Sequence, residues 1–148
     1  MKFIVFEGID GSGKTTLIKN LGEALNKRQL PWIQTREPGG TPLADEIRHL
    51  ILRTGTEVPH PRTELLLYEA SRSQHVANVI SPALQAGKWV LCDRFTASSI
   101  AFQSTGRSLP IEDVEMLNHF ATGGLVPDLT VLLDLPVSES HRRQDVRN

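Results

Sequence analysis

Four short apolar runs along the chain predict β-strands. They cover residues 3–6, 32–35, 89–92 and 129–133. The first, third and fourth runs are nearly continuous in apolar residues, which is typical of parallel strands that are covered on both faces. Between the runs, apolar residues recur at helical spacing, so strands and helices alternate. This alternation predicts an α/β fold with a parallel sheet in a three-layer α/β/α arrangement.

Turn and capping residues predict where the helices begin and end. The first helix is expected over residues 14–27. A second is expected from Pro42, with Thr41 as its N-cap and Pro42 in the first helical position. A third, long helix is expected over about residues 62–86, where Pro82 begins the last segment or kinks the helix.

The segment after the fourth run, about residues 136–148, is short, polar and basic. A doubly wound nucleotide-binding fold usually has a fifth strand and a further covering helix, and neither pattern follows here. We therefore expect a single domain over residues 1–148 that lacks its C-terminal part, and we expect the chain to be part of a longer protein.

Composition and charge argue against several classes of function. The 148 residues suffice for one domain with a buried core. The 16 Lys and Arg residues nearly balance the 17 Asp and Glu residues, which argues against bulk attraction to nucleic acids or membranes. Cys92 is the only cysteine, so no internal disulfide can form and a reducing compartment is indicated. No leader precedes the first strand and no apolar run approaches the roughly 20 residues that span a bilayer, so we expect a cytoplasmic protein.

The segment Gly8-Ile9-Asp10-Gly11-Ser12-Gly13-Lys14-Thr15 fits G-x-x-x-x-G-K-[ST], the pattern of a phosphate-binding loop. It lies between a predicted strand and a predicted helix, as such a loop must. The backbone N–H groups and the helix N-terminus would hold phosphate oxygens, Lys14 would add a full charge, and the Thr15 hydroxyl would bind Mg²⁺. The alternative is a glycine-rich turn that only links strand to helix. The predicted triphosphate-binding residues are Gly8, Ile9, Asp10, Gly11, Ser12, Gly13, Lys14, Thr15 and Thr16.

Basic residues follow three of the predicted strands. Arg36 follows the second strand, Arg94 follows the third, and the fourth is followed by Arg142, Arg143 and Arg147. Because ligands bind beyond the carboxyl ends of the strands in an open parallel sheet, these residues and the phosphate-binding loop should share one rim. A single basic residue at a strand end is usually a solvated surface group. Several beside a phosphate-binding loop favour a site that holds more than one anionic group.

Four motifs, in this order and spacing, resemble those of thymidylate kinases. They are the phosphate-binding loop, Thr35-Arg36-Glu37-Pro38-Gly39-Gly40-Thr41, Tyr68-x-x-x-Arg72 and Asp93-Arg94-Phe95-x-x-Ser98. The resemblance extends over essentially the whole chain and implies a P-loop kinase fold with a five-stranded parallel sheet, of which this chain would hold four strands. It implies a homodimer that transfers a phosphoryl group from ATP to dTMP with Mg²⁺, giving dTDP and ADP. Other interpretations are a deoxynucleoside kinase and a fragment that binds nucleotide without turnover.

The resemblance assigns roles to residues that surround the phosphates. Lys14 is expected to hold the β- and γ-phosphates of ATP, and Asp93 is expected to act on the metal. Asp93 could instead cap a helix or pair with an arginine. Arg94 is expected to bind the phosphate of dTMP, which a guanidinium matches in bidentate geometry. Arg36 shares this role or forms an ion pair with Glu37 or Asp93.

Tyr68 and Arg72 are four residues apart and therefore face the same side of the third helix. Their spacing alone favours one core aromatic residue and one arginine that reaches solvent. The resemblance implies instead that Tyr68 stacks on thymine and that Arg72 hydrogen-bonds the thymine O4 atom. It also places Ser99 near the base and Pro38 near the 5-methyl group.

The resemblance also implies contacts to the sugar. Asp10 would accept a hydrogen bond from the 3′-hydroxyl, although a carboxylate in a phosphate-binding loop repels phosphate. Phe102 would crowd the 2′ position, and Gln103 would continue the same wall.

One type of thymidylate kinase carries a catalytic arginine in the phosphate-binding loop, at the position that Gly11 occupies here. The bacterial-like type supplies this arginine from a lid after the fourth strand. The resemblance therefore implies a lid at about residues 136–148 in which Arg142, Arg143 or Arg147 reaches the transferred phosphoryl group. The alternative is a solvated basic helix face.

Overall fold

The four predicted strands form one parallel sheet in the order β2-β3-β1-β4. The computed structural model describes residues 1–145, apart from the side chain of Gln144. The strands are β1 Phe3–Glu7, β2 Trp32–Arg36, β3 Trp89–Asp93 and β4 Leu129–Leu132. Their ends differ from the predicted ones by at most one residue, so the predicted parallel sheet is confirmed.

Helices connect and follow the strands. Within residues 1–145 they are α1 Lys14–Lys27, α2 Pro42–Ile51, α3 Pro61–His75, α4 Ser81–Gln85, α5 Thr96–Ser99, α6 Ile111–Thr122 and α7 Val137–Asp145. Two π-helical turns, Val76–Ile80 and Ile100–Thr105, continue α3 and α5. None of the helices in this range is long and apolar enough to cross a membrane.

Local sequence explains two of the helix boundaries. Thr41 caps α2, because its Oγ1 accepts a hydrogen bond from the N–H of Ala44 at 3.1 Å, and Pro42 follows as the first helical residue. The predicted cap is therefore confirmed. The predicted long helix is divided, since a π-helical turn separates α3 from α4 and Pro82 lies in the first turn of α4. Because proline has no N–H to donate, the helix loses one backbone hydrogen bond at Pro82, beside the point where α3 and α4 separate.

Apolar side chains pack against both faces of the sheet. On one face, Val5 lies in a buried cluster with Ile80 and Cys92. On the other face, Phe6 packs with Ile18 of α1. These two clusters give the predicted three layers, and the buried position of Cys92 agrees with its place in an apolar run.

The strand β4 lies at the edge of the sheet and departs from the prediction of a strand covered on both faces. Leu129 and Leu132 are 53% and 69% exposed, because no further strand pairs with the outer edge of β4 within residues 1–145. The expected fifth strand stays a prediction.

Asp93 marks the rim of the sheet on which the phosphate-binding loop lies. It pairs in register with Phe6 of β1 and with Arg36 of β2. The carboxyl ends of three strands therefore meet at one place, directly beside the loop that follows β1.

Candidate active site

One cavity of about 520 Å³ lies beyond the carboxyl ends of the strands. The phosphate-binding loop and the start of α1 line one end, and Tyr68 and Arg72 of α3 line the other. The structure brings most of the predicted site residues into this one space. Those that line it are Asp10, Gly11, Gly13, Lys14, Thr15, Thr16, Arg36, Pro38, Tyr68, Arg72, Asp93, Arg94, Phe102 and Gln103.

Three glycines of the phosphate-binding loop have a positive φ, Gly8, Gly11 and Gly13, and two of them show why the loop requires glycine. Gly8 has a φ of 142°, and a Cβ there would lie 2.7 Å from the carbonyl oxygen of Leu133. Gly13 begins α1 in the left-handed region, with a φ of 97°. Only glycine adopts these conformations without strain. Three residues of the loop do not line the cavity, namely Gly8, Ile9 and Ser12.

Lys14 is buried inside the phosphate-binding loop. Its Nζ donates to the carbonyl oxygens of Gly8 at 2.9 Å and Ile9 at 3.2 Å, and it lies 3.9 Å from Oδ1 of Asp93. Burial and, after it, the charge of Arg94 lower the pKa of Lys14, whereas Asp93 acts in the opposite direction. The loop therefore holds a lysine ammonium at the cavity wall.

Asp93 supplies a carboxylate oxygen that suits a metal ion. Its Oδ1 is buried and has no hydrogen-bond partner among the described residues. Burial raises the pKa of Asp93, and Lys14 counteracts this shift. Thr15 lines the same cavity, but residues 1–145 hold no cluster of three His, Cys, Asp or Glu residues that could bind a metal. Such a sparse site fits Mg²⁺, which takes one or two protein groups with water and phosphate oxygens.

Arg94 joins the end of β3 to the phosphate-binding loop. Its Nη2 donates to Oδ1 of Asp10 at 2.8 Å, its Nη1 donates to Oγ of Ser98 at 3.4 Å, and its Cζ lies 5.5 Å from the ring centre of Phe102. The backbone of Arg94 has a φ of 70°, which is uncommon for a residue with a side chain. This conformation directs the side chain over the cavity, beside Lys14 and the loop.

Arg36 has a partner that neither alternative predicted. Its Nη2 lies 3.1 Å from Oδ1 of Asp45, and its Nη1 donates to the carbonyl oxygen of Pro38 at 2.9 Å. Nη1 of Arg48 donates to the same carbonyl at 3.0 Å. The alternative role for Arg36, an ion pair with Glu37 or Asp93, is wrong, because its carboxylate partner is Asp45. Glu37 is turned into the core, where it pairs with Arg72 and His75.

Arg72 is buried rather than solvated, with 2% of its surface exposed. Its Nε donates to Oε2 of Glu37 at 2.8 Å, and its Nη1 donates to Oε1 of Glu69 at 2.7 Å. Burial by itself would lower the pKa of Arg72, but the two carboxylates raise it overall. The interpretation from spacing, an arginine that reaches solvent, is therefore wrong, and Tyr68 and Arg72 both line the cavity.

Three further groups fix the guanidinium of Arg72. Nη1 also lies within hydrogen-bond distance of Oδ1 of Asn118 at 2.6 Å and Oγ of Ser99 at 3.1 Å, and Nη2 donates to the carbonyl oxygen of Phe95 at 3.1 Å. Ser99 is buried and does not line the cavity. The structure thus places Ser99 behind the arginine, in contrast to its expected position beside the base.

Phe102 and Gln103 lie on the π-helical turn Ile100–Thr105 and form one wall of the cavity. Nε2 of Gln103 donates to Oε1 of Glu64 at 3.0 Å, and Arg107 donates to both carboxylate oxygens of Glu64, at 3.2 and 2.9 Å. Burial would raise the pKa of Glu64, but the hydrogen bonds from Arg107 and Gln103 lower it overall. These hydrogen bonds to Glu64 connect the cavity wall to the start of α3.

Helix α7 lies against the phosphate-binding loop. Oγ of Ser140 donates to the carbonyl oxygen of Asp10 at 2.6 Å, and Nη1 of Arg143 donates to the carbonyl oxygen of Gly11 at 3.2 Å. Arg147, the third predicted lid arginine, lies outside the described residues. The structure therefore brings Arg143, one of the predicted lid arginines, next to Gly11, which stands where the other type of thymidylate kinase carries its arginine.

Arg142 and Arg143 share the carboxylate of Glu139. Glu139 accepts hydrogen bonds from Arg142 at 2.8 and 2.7 Å and from Arg143 at 2.9 Å. These bonds lower the pKa of Glu139 to about 2. Both arginines line a second cavity of about 660 Å³, between α1 and α7, which also includes Leu17. They lie beside the first cavity but do not line it.

Comparison with known proteins decides the family. A family model described as "Thymidylate kinase" matches residues 6–148. The chain belongs to the thymidylate kinase family. The thymidylate kinase of Bdellovibrio bacteriovorus is 66% identical over 147 residues, which are 99% of this chain and 69% of that protein. Those of Pelotomaculum thermopropionicum and Geobacter sulfurreducens are 56% and 50% identical, over 90% and 98% of this chain and 62% and 68% of their own lengths.

Membership in the thymidylate kinase family confirms the resemblance carried by the four motifs, and with it the P-loop kinase fold. The comparisons give no support to a deoxynucleoside kinase. The chain spans about two thirds of the length of the curated thymidylate kinases that it matches, 62% to 69% for the three named here.

The sequence analysis did not predict the residues that hold Arg72. Glu37 lies inside the Arg-Glu-Pro-Gly-Gly motif, and Glu69 lies three residues before Arg72, so both could be found by asking what neutralises a buried arginine. Asn118 carries no such signal, because it lies 46 residues from Arg72 and meets it only through the packing of α6 on α3.

Proposed function

We propose that the protein transfers the γ-phosphoryl group of ATP to dTMP, giving dTDP and ADP. The observation that carries this proposal is the single cavity that joins the phosphate-binding loop to Tyr68 and Arg72 in a member of the thymidylate kinase family. Such a cavity can hold a triphosphate and a nucleoside monophosphate together. The attacking oxygen of the dTMP phosphate is already ionised, so the site needs basic groups and no general base.

The donor half of the site is the phosphate-binding loop. Its backbone N–H groups and Lys14 hold the β- and γ-phosphates, which replace the Gly8 and Ile9 carbonyl oxygens as partners of the ammonium. Thr15 and Asp93 would hold Mg²⁺, and the buried Oδ1 of Asp93 supports this assignment because it has no hydrogen-bond partner among the described residues. When bound, Mg²⁺ neutralises charge on the transferred group.

Arg94 and Arg36 bind the phosphate of dTMP. Arg94 lies over the cavity beside Lys14, and a guanidinium binds phosphate through two parallel hydrogen bonds. The dTMP phosphate would take the place of the Asp10 carboxylate as a partner of Arg94. Asp45 and the Pro38 carbonyl hold Arg36 at the wall of the same cavity.

The base lies at the α3 end of the cavity. Tyr68 stacks on thymine, and Pro38 lies beside the 5-methyl group. The guanidinium of Arg72 has five N–H groups, and one on Nη2 has no acceptor among residues 1–145. That N–H donates to the O4 atom of thymine. Cytosine carries an amino group in the same place, so the site disfavours dCMP.

The sugar lies between the base and the phosphate-binding loop. Asp10 accepts a hydrogen bond from the 3′-hydroxyl, and Arg94 offsets the charge that Asp10 places near the phosphates. Phe102 crowds the 2′ position, with Gln103 continuing the wall.

Helix α7 supplies the positive charge that Gly11 does not. Arg143 reaches the transferred phosphoryl group when α7 closes further over the loop, because its guanidinium already hydrogen-bonds Gly11. Glu139 holds Arg142 and Arg143 until then. Closure also excludes water, which limits hydrolysis of ATP.

The assembly proposed for this kinase is a homodimer. Leu43 and Leu50 of α2 and Leu66 of α3 are about half exposed, at 49%, 50% and 56%, and these two helices pack together. A second copy would cover this apolar surface. We place the homodimer in the cytoplasm, where ATP and dTMP are available.

The test is an assay of ADP release with the full-length protein that carries this sequence. We expect turnover with ATP and dTMP, slower turnover with dUMP, and none with thymidine. Phosphorylation of thymidine without phosphorylation of dTMP would establish a deoxynucleoside kinase instead. The same assay on residues 1–148 shows whether this chain turns over by itself or only binds nucleotide.

A further inference from the structure

A buried histidine lies behind the α3 end of the cavity. His75, the last residue of α3, has no exposed surface. Its Nε2 lies 2.6 Å from Oγ1 of Thr35, and its Nδ1 lies 3.0 Å from Oε1 of Glu37. The other oxygen of this carboxylate, Oε2, accepts the hydrogen bond from Nε of Arg72. His75 and Arg72 therefore hold the two oxygens of one buried carboxylate.

The direction of these hydrogen bonds follows from the chemistry of the groups. An ionised carboxylate can only accept, so Nδ1 of His75 carries a hydrogen and donates to Glu37. Nε2 either accepts from the hydroxyl of Thr35 or donates to it, depending on whether the ring carries one proton or two. In both cases each ring nitrogen has a buried partner, which fixes the orientation of the imidazole.

The ring of His75 also supports the loop that follows β2. A Cβ at Gly40 would lie 2.6 Å from Cδ2 and 2.7 Å from Nε2 of His75, so the loop backbone lies directly against the ring. Beside it, Oγ of Ser71 accepts a hydrogen bond from the N–H of Gly39 at 3.0 Å. The loop that carries Pro38 to the cavity thus rests on His75.

We propose that His75 is a positioning residue for base recognition. It holds the Glu37 carboxylate, and Glu37 holds the guanidinium of Arg72 at the angle from which Nη2 reaches the base. His75 does not line the cavity, so it acts only through these neighbours. A rotated Glu37 carboxylate shifts Arg72, and shifts of about 1 Å in a positioning group have large effects. This inference rests on the proposed phosphorylation of dTMP.

Two variants separate a positioning role from a structural one. In His75→Asn the amide nitrogen takes the place of Nδ1 and still donates to Glu37. In His75→Gln it takes the place of Nε2 and reaches Thr35, while Glu37 loses its donor. We expect His75→Gln to raise KM for dTMP about tenfold, which is the size of one lost buried hydrogen bond. We expect His75→Asn, which loses only the bond to Thr35, to raise KM for dTMP by about threefold or less, with kcat and KM for ATP nearly unchanged in both variants.

The experiment uses steady-state kinetics and thermal unfolding of the full-length protein. Equal KM values for dTMP in the two variants, or a parallel rise in KM for ATP, would overturn the positioning role. If the wild-type protein uses ATP and dTMP but the two variants behave alike, the positioning role fails and the proposed function stands. A wild-type protein that does not use dTMP overturns both proposals.

A third variant keeps the inference testable if His75→Gln does not fold. Thr35→Val removes the hydroxyl at nearly constant volume and leaves the bond between His75 and Glu37 without its orienting partner. We expect a rise of about threefold in KM for dTMP and no change in KM for ATP. An unchanged KM for dTMP in this variant would count against the proposal.

Discussion

Nη2 of Arg94 lies 2.8 Å from Oδ1 of Asp10, so the residue proposed to bind the dTMP phosphate is paired with the residue proposed to bind its sugar. The pair joins the end of β3 to the phosphate-binding loop. A carboxylate in such a loop repels phosphate, and Arg94 offsets that repulsion. Two residues proposed to bind dTMP are therefore held together before any substrate binds.

Asp10→Asn tests this pair. We expect a higher KM for dTMP, because the 3′-hydroxyl then donates to a neutral amide oxygen in place of a carboxylate, and that hydrogen bond is weaker. Wild type should prefer dTMP over its 3′-deoxy analogue by about tenfold or more in kcat/KM, and the variant by about twofold. Asp113→Asn, on the exposed face of α6, is the matched control. An undiminished preference in Asp10→Asn would remove Asp10 from the sugar site.

Lys14→Ala should reduce kcat by about 100-fold to 1,000-fold, because an electrostatic contact to the transferred phosphoryl group is lost. The affinity for dTMP, measured by calorimetry, should change little, since Lys14 serves the donor half. Lys19→Ala, on the exposed surface of α1, provides the comparison. Undiminished turnover in Lys14→Ala would exclude a role in the mechanism.

Arg143→Ala should lower kcat by about tenfold or more and leave KM for dTMP nearly unchanged. Arg142→Ala should have a smaller effect on kcat. Arg143 hydrogen-bonds Gly11, whereas the hydrogen bonds that Arg142 makes within the described residues go to Glu139. The two variants control for each other, since both arginines share Glu139. A larger loss of kcat in Arg142→Ala would reverse the assignment.

Arg72→Ala should unfold more easily as well as bind dTMP poorly. It leaves Glu37 and Glu69 buried without their charged partner, and breaking a buried pair lowers the free energy of unfolding by about 3–5 kcal/mol. Arg72→Lys keeps the charge but loses the fork of N–H groups, so it should unfold less easily than Arg72→Ala and still raise KM for dTMP. Urea unfolding and steady-state kinetics measure the two effects. Equal rises in KM for dTMP and ATP would indicate a folding defect only.

Glu64 should make the fold sensitive to acid. Its folded pKa lies below the ordinary value of 4.5, so the ionised group contributes stability that is fully present above pH 4.5 and is lost as the pH falls through the folded pKa. Glu64→Gln should therefore be less stable than wild type at neutral pH, and the difference should shrink as the pH falls below 4.5. Unfolding by urea across this range measures the difference, with the exposed Glu57→Gln as control. A difference that does not vary with pH would contradict the role of Glu64.

Features of this fold that depend on neighbouring residues could be predicted from the sequence. The strands, the bounds of α1 and the cap at Thr41 follow from apolar spacing and turn chemistry, which act over a few residues. The phosphate-binding loop is equally local, because its glycines, lysine and hydroxyl are consecutive. The rim on which Arg36, Asp93 and Arg94 gather follows from the parallel order of the strands.

The partners and the burial of the charged side chains around Glu37 follow only from the packing of the folded chain. Arg36 pairs with Asp45 and not with Glu37, because Glu37 points into the core, where Arg72 and His75 take both of its oxygens. Glu37 lies 35 residues from Arg72 and 38 from His75, so no local pattern records these contacts. They arise when α3 packs against the loop after β2. Because a buried charge without a partner is very unfavourable, the packing fixes which charged residues pair.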